Sequence, residues 1–166
     1  MSDNIHPETR IGHVHLKVSN LGRSETFYRD VLGYEVTLRG PGLVFMSAGG
    51  YHHHLALNST MSEGREPPAE ESPGLLHYAI LFPLFEDLIA AGRRALDHGA
   101  SFHRAADYGY SVSLYMRDPD GIEIELSCDR DPTEWYRNED GSLRRSPKLL
   151  TPDEVFAMHQ PASERS

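Results

Sequence analysis

The chain is poor in four things, and each shortage removes a class of explanation. Among its 166 residues there is one cysteine, Cys128. No disulfide can form within the chain, so it must hold together by packing, and a reducing, cytoplasmic setting is expected. The opening stretch MSDNIHPETR has no apolar core of the kind that starts a secretory signal. No uninterrupted apolar run approaches the roughly 18 residues that a helix needs to cross a bilayer. Positive charge is scarce too: 16 Lys and Arg stand against 25 Asp and Glu, for a formal net charge of −9. A protein that tracks a nucleic-acid backbone needs the opposite balance. Neither nucleic acid nor membrane is expected as a partner.

What the chain does have is enough apolar material for a core, 39% of its residues, and ten histidines. Three of those are consecutive, in YHHHLALN (51–58). Such a cluster can bind metal, move protons or start a strand, and the other histidines decide between these uses.

An internal repeat organises them. IGHVHLKV (11–18) alternates like a half-buried strand, with Val14, Leu16 and Val18 on one face and His13, His15 and Lys17 on the other. The next stretch, 19–36, predicts a helix. Ser19 or Asn20 caps it, Phe27, Tyr28, Val31 and Leu32 form its apolar stripe, and Gly33 stops it. Three short β-like segments follow, YEVTLR, LVFMSA and HLALN. The second half repeats this order. LLHYAILF (75–82) is a strand; 84–100 is a helix with apolar positions Leu84, Leu88, Ile89 and Leu96, ending near Gly99; SVSLYMRD and GIEIELSC are strands joined by the turn DPDG (118–121). The first half reads β-α-β-β-β and the second is taken to repeat it, which predicts an α+β fold of two βαβββ modules. The modules span 11–60 and 75–128, joined by a Pro-, Glu- and Ser-rich connector at 61–74. Residues 1–10 form an N-terminal extension and 129–166 a polar C-terminal tail with a short helix near PDEVFAMH.

Aligning the halves places His13 over His77, each near the start of the first strand of its module. GIEIELS puts Glu123, Glu125 and Ser127 on one strand face. A carboxylate in such a strand is costly to bury unless it is paired or binds a cation. Two histidines and one carboxylate, Glu123 or Glu125, compose the donor set that suits non-haem Fe(II) or another divalent ion.

These same segments, HVHLKVSNLGRSETFYRDVLGYEV, LLHYAILF and DPDGIEIEL, resemble the vicinal oxygen chelate superfamily of glyoxalases, fosfomycin-resistance proteins and extradiol dioxygenases. The resemblance covers about residues 11–128. It implies paired βαβββ modules forming a cupped mixed sheet around a metal, with His13, His77 and Glu125 as ligands; the DPDG-x-x-x-E spacing selects Glu125 over Glu123. Within the superfamily the chain looks most like single-module catechol dioxygenases. GGYHHHLALN resembles the segment that carries their acid–base histidine, which selects His53. Tyr115, ten residues before Glu125, resembles their substrate-facing tyrosine. The resemblance also implies Fe(II), with Mn, Ni or Zn as alternatives, an aromatic diol and dioxygen as substrates, and a homodimer. One departure stands out: Tyr108 occupies the place where related enzymes carry a loop histidine. Strand parity also pulls against the choice of His53, since it groups His52 and His54 with Ala56 and Asn58; a bulge at Gly50–Tyr51 would reconcile the two. An isomerase, a thiol transferase or a drug-sequestering protein of the same fold is the alternative reading.

Overall fold

The computed structural model describes residues 4–159. Its elements follow the β-α-β-β-β order twice. β1 (Val14–Lys17), α1 (Leu21–Thr26), β2 (Glu35–Gly40), β3 (Leu43–Ser47) and β4 (Leu55–Asn58) make the first module. β5 (His77–Phe82), α2 (Phe85–Asp97), β6 (Phe102–Asp107), β7 (Ser111–Arg117) and β8 (Glu123–Asp129) make the second. β9 (Lys148–Leu150) and α3 (Pro152–Met158) follow. The chain is thus a mixed α+β protein with two mixed sheets. It divides into two units, Met1–Arg29 with Gly33–Glu66, and Asp30–Leu32 with Pro67–Ser166.

In the first unit the strand order is β1-β4-β3-β2. β1 runs parallel to β4, with Val14 opposite Leu55 and Leu16 opposite Leu57. The other two pairings are antiparallel. Asn20 caps α1, its side-chain oxygen accepting from the Arg23 amide at 2.9 Å. The helix lies against β3 and β4, and Leu16, Val18, Tyr28, Val44, Met46, Leu55 and Leu57 are buried. Past Thr26 the helix widens into a π-helical turn, Phe27–Val31.

In the second unit the order is β5-β8-β7-β6-β9. Its first four strands repeat the first sheet: β5 and β8 are parallel, β8, β7 and β6 antiparallel. The DPDG turn forms as the sequence predicts. Asp118 is buried and its Oδ1 accepts from the amides of Asp120 and Ile122 at 2.9 and 2.8 Å.

α2 covers one face of this sheet along β5 and β8. Its buried stripe is Leu88, Ile89, Ala91, Gly92 and Ala95, whereas Leu84 and Leu96, expected on that stripe, are exposed. Leu84 is the cap residue outside the helix, and small residues carry the C-terminal half of the contact because the helix sits so close. A Cβ on Gly92 would come 2.9 Å from Phe156 and 3.2 Å from Leu114. The segment after Cys128, expected as a polar tail, is exposed over most of 129–149, and its last part docks on the second sheet. β9 adds a fifth strand beside β6, α3 packs on β6 and β7, and Leu150 and Val155 are buried. Two well-placed apolar side chains anchor a segment whose average composition is polar. The connector 61–74 is irregular and almost wholly exposed.

Candidate metal centre

The parallel pairing of β5 with β8 sets the geometry of the second unit's polar face. His77 is opposite Glu123 and Ala79 opposite Glu125, and Glu125 is opposite Tyr115 on β7. Alternation then puts His77, Glu123, Glu125, Ser127, Ser113 and Tyr115 on one face, away from the helices. This face is not a solvent face: Ser113, Tyr115 and Ser127 are buried.

His77 and Glu125 meet there, Nε2 to Oε2 at 3.1 Å. Two donors bound at right angles to one ion, each about 2.1 Å from it, stand about 3.0 Å apart. The pair therefore has the spacing of one edge of a coordination sphere. The Ser113 hydroxyl donates to the other carboxylate oxygen, Oε1, at 2.6 Å, while Oε2 faces the imidazole. His77 Nδ1 is buried and makes no hydrogen bond among the described residues; Glu123 Oε2 lies 3.5 Å from it. A bound cation fits this donor set, an imidazole nitrogen and a carboxylate oxygen turned toward each other at 3.1 Å.

Tyr115 packs edge-on to His77, ring centroids 5.8 Å apart. The Arg104 guanidinium covers its ring at 3.7 Å, and its hydroxyl shares a 2.9 Å hydrogen bond with that of Tyr108. Burial first, then the bond to Tyr108 and the nearby charge of Glu125, push the Tyr115 phenol well above its usual pKa, so it stays protonated. Tyr108 stacks on Tyr110. The loop histidine of the resemblance is thus replaced by a tyrosine bonded to Tyr115. At the end of β6, Arg130 donates to both oxygens of Asp107 at 3.2 and 2.6 Å. Burial alone would raise that carboxyl, but the bonds from Arg130 and from the Gly109 amide outweigh it and hold it below the usual range.

The histidine cluster belongs to the first unit. The regular strand begins at Leu55. His54 still bonds the neighbouring strands through its backbone, its N–H donating to Met46 O and its carbonyl accepting from Val14 N–H, each at 2.9 Å. Residues 52–53, however, lie in an irregular bend after Gly49–Gly50, and regular alternation does not extend to them. His53 stacks on Phe45, centroids 4.1 Å apart, and stands 4.4 Å from the His13 ring. His52 and His53 share a hydrogen bond between their Nδ1 atoms at 2.7 Å. Burial, then the neighbouring imidazoles led by His13, hold the His53 pKa below the ordinary histidine value. His54 turns the other way: its Nδ1 bonds the Ser47 hydroxyl at 3.0 Å. His52 and His54 are exposed and His53 half-buried.

His13 thus lies in the first unit, beside His53, and His77 and Glu125 in the second, beside Tyr115. Among the described residues no three His, Cys, Asp or Glu side chains are grouped as a metal site; the His77–Glu125 pair is the part of the expected set that is in contact. Sequence reasoning missed Arg104 and Ser113. Ser113 was open to discovery, being two residues before Tyr115 on the same strand face. Arg104 was not, because a bulge between Phe102 and Arg104 shifts its register.

A cavity of ≈ 430 Å³ opens elsewhere in this unit, lined by Val112, Cys128 and Arg130 among others. Val112 and Cys128 alternate with Ser113 and Ser127, so it lies on the face opposite His77, Glu125 and Tyr115. Burial pushes the Cys128 thiol up from its usual pKa, which marks a packed rather than a reactive cysteine.

The comparisons with known proteins agree with this architecture. The family model of the Glyoxalase/Bleomycin resistance protein/Dioxygenase superfamily matches residues 10–126. The chain belongs to that superfamily. It is 34% identical over 138 residues to a catechol-2,3-dioxygenase of Bacillus subtilis (strain 168), covering 83% of this chain and 48% of that protein. The chain thus spans about half the length of that relative. It is 29% identical to the metallothiol transferase FosB of Staphylococcus epidermidis (strain ATCC 12228 / FDA PCI 1200), covering 82% of this chain and 94% of the transferase. Among solved structures, a lactoylglutathione lyase from Agrobacterium tumefaciens superposes with a TM-score of 0.59 at 26% identity, covering 74% of this chain and 96% of the lyase.

Proposed function

We propose that this chain is a metal-dependent extradiol-type dioxygenase that opens a catechol-like ring with dioxygen. The observation that carries the reading is the His77–Glu125 pair, 3.1 Å apart on a buried polar face beside Tyr115. The ligands are His13, His77 and Glu125, and the metal is Fe(II). Bound there, the metal would lower the pKa of a coordinated catechol hydroxyl, and iron would add the redox capacity that dioxygen requires.

The chain's own residues supply the rest. His53, held below the ordinary histidine pKa, is neutral near pH 7 and accepts the proton the catechol loses. Tyr115, raised by burial, keeps its proton and donates a hydrogen bond to the substrate oxygen. Tyr108 can support that donation, because either hydroxyl of the pair can be the donor. Ser113 holds one Glu125 oxygen so that the other keeps its direction. The half-buried face limits water around the reacting atoms.

The test is direct. Protein loaded anaerobically with Fe(II) and then given catechol and air is expected to form a yellow ring-cleavage product. Ala at His77 or Glu125 is expected to cut metal content sharply while the chain still folds. If loaded protein yields no coloured product from any simple catechol, the dioxygenase reading falls. The second reading, a thiol transferase or glyoxalase-like isomerase, draws on coverage: the chain spans 94% of the transferase it resembles but 48% of the dioxygenase. Native Mn, Zn or Ni in place of iron would favour it.

A further inference from the structure

Glu123 was a rival candidate for the metal ligand, and its surroundings suggest a different task. It faces His77 across the parallel strand pair. Its Oε1 accepts from His103 at 2.8 Å. Its Oε2 accepts from Arg104 at 3.1 Å and lies 3.5 Å from His77 Nδ1, a buried nitrogen with no hydrogen bond. One imidazole thus stands between two carboxylates: Glu125 at Nε2, Glu123 at Nδ1.

A neutral imidazole carries one N–H and cannot satisfy both acceptors. With a cation held between Nε2 and Glu125, the arrangement resolves when the N–H is on Nδ1 and points to Glu123, whose Oε2 is 3.5 Å away. Nε2 then turns a lone pair toward the point that Glu125 also faces. Glu123 is fitted for this because it is anchored twice. Arg104 is itself pinned over the Tyr115 ring, and His103 holds the second oxygen, so the carboxylate cannot swing toward the pair it would otherwise compete with.

We infer that Glu123 is a positioning residue: it fixes the tautomer and orientation of His77, so that Nε2 is the metal-binding atom, and it is not a ligand itself. This rests on the metal-site reading above. Partners of this kind typically contribute a factor of 10–100 in metal affinity.

Cobalt(II) titration, followed by its visible absorption, tests the inference without using turnover. Glu123→Ala is expected to weaken Co(II) binding by roughly 10- to 100-fold, and Glu123→Gln to recover most of that loss, because the amide oxygen can still accept the Nδ1–H. Melting of the metal-free variants separates an orientation effect from a general loss of stability. In Zn(II)-loaded wild type, 15N NMR is expected to show His77 bound through Nε2 and protonated at Nδ1; this readout needs no variant to fold. Unchanged Co(II) affinity in Glu123→Ala, or His77 bound through Nδ1, overturns the inference while leaving the metal site standing. A wild-type chain that takes up no Co(II) overturns both.

Discussion

At the scale of single residues the instructive case is the run of three histidines. Equal in sequence, they are unequal in space. His54 is tied to Ser47; His52 is exposed, and its carbonyl accepts from the Thr37 hydroxyl at 2.7 Å; His53 is half-buried between Phe45 and His13. Turnover is therefore expected to fall on the order of 10²–10⁴-fold in His53→Gln with metal retained, as for loss of a general base. His54→Gln is expected to matter little. His52→Gln tests the shared hydrogen bond, with a smaller loss expected. A crippled His52→Gln beside a normal His53→Gln would move the acid–base role to His52.

At the scale of elements, the strands and helices are set by local chemistry and the docking of the last segment by close approach. Gly109, between β6 and β7, has a φ of +82°, and a Cβ there would stand 2.5 Å from the Tyr136 ring. Gly109→Ala meets two costs at once, the left-handed backbone and the displaced ring. A loss of about 1–3 kcal/mol is expected in denaturant unfolding. A variant as stable as the parent would show that Tyr136 is not packed against this turn. The alternation in β8 was legible, and with it the shared face of Glu123, Glu125 and Ser127; Tyr115 came from the resemblance. The α2 stripe was legible only in part, because small residues can face a sheet as effectively as large ones when the backbone comes close, and periodicity weighs them lightly.

At the scale of the whole chain, the polar connector 61–74 is the exposed, irregular stretch that spans the boundary at Glu66 and Pro67 between the two units. Limited proteolysis is expected to cut there first. Early cleavage within α2, with 61–74 protected, would place the weak point elsewhere. No helix among the described residues is long and apolar enough to cross a membrane, and the sequence carries a formal charge of −9.

Composition and pattern by themselves determined the repeat, the order of its elements, the turn at DPDG and the choice of His13, His77 and one of Glu123 or Glu125 as residues worth watching; the resemblance selected Glu125. These depend on neighbours in the chain, and neighbours are what a sequence displays. Tertiary structure alone decided three other matters. It started β4 at Leu55, which freed His53 from strand parity. It brought Arg104 and His103 onto Glu123 through a bulge that no local signal announced. It folded the tail from β9 to α3 onto the second sheet. Each depends on contacts between residues distant in sequence, where a shift of one position or a few ångströms changes which side chains meet.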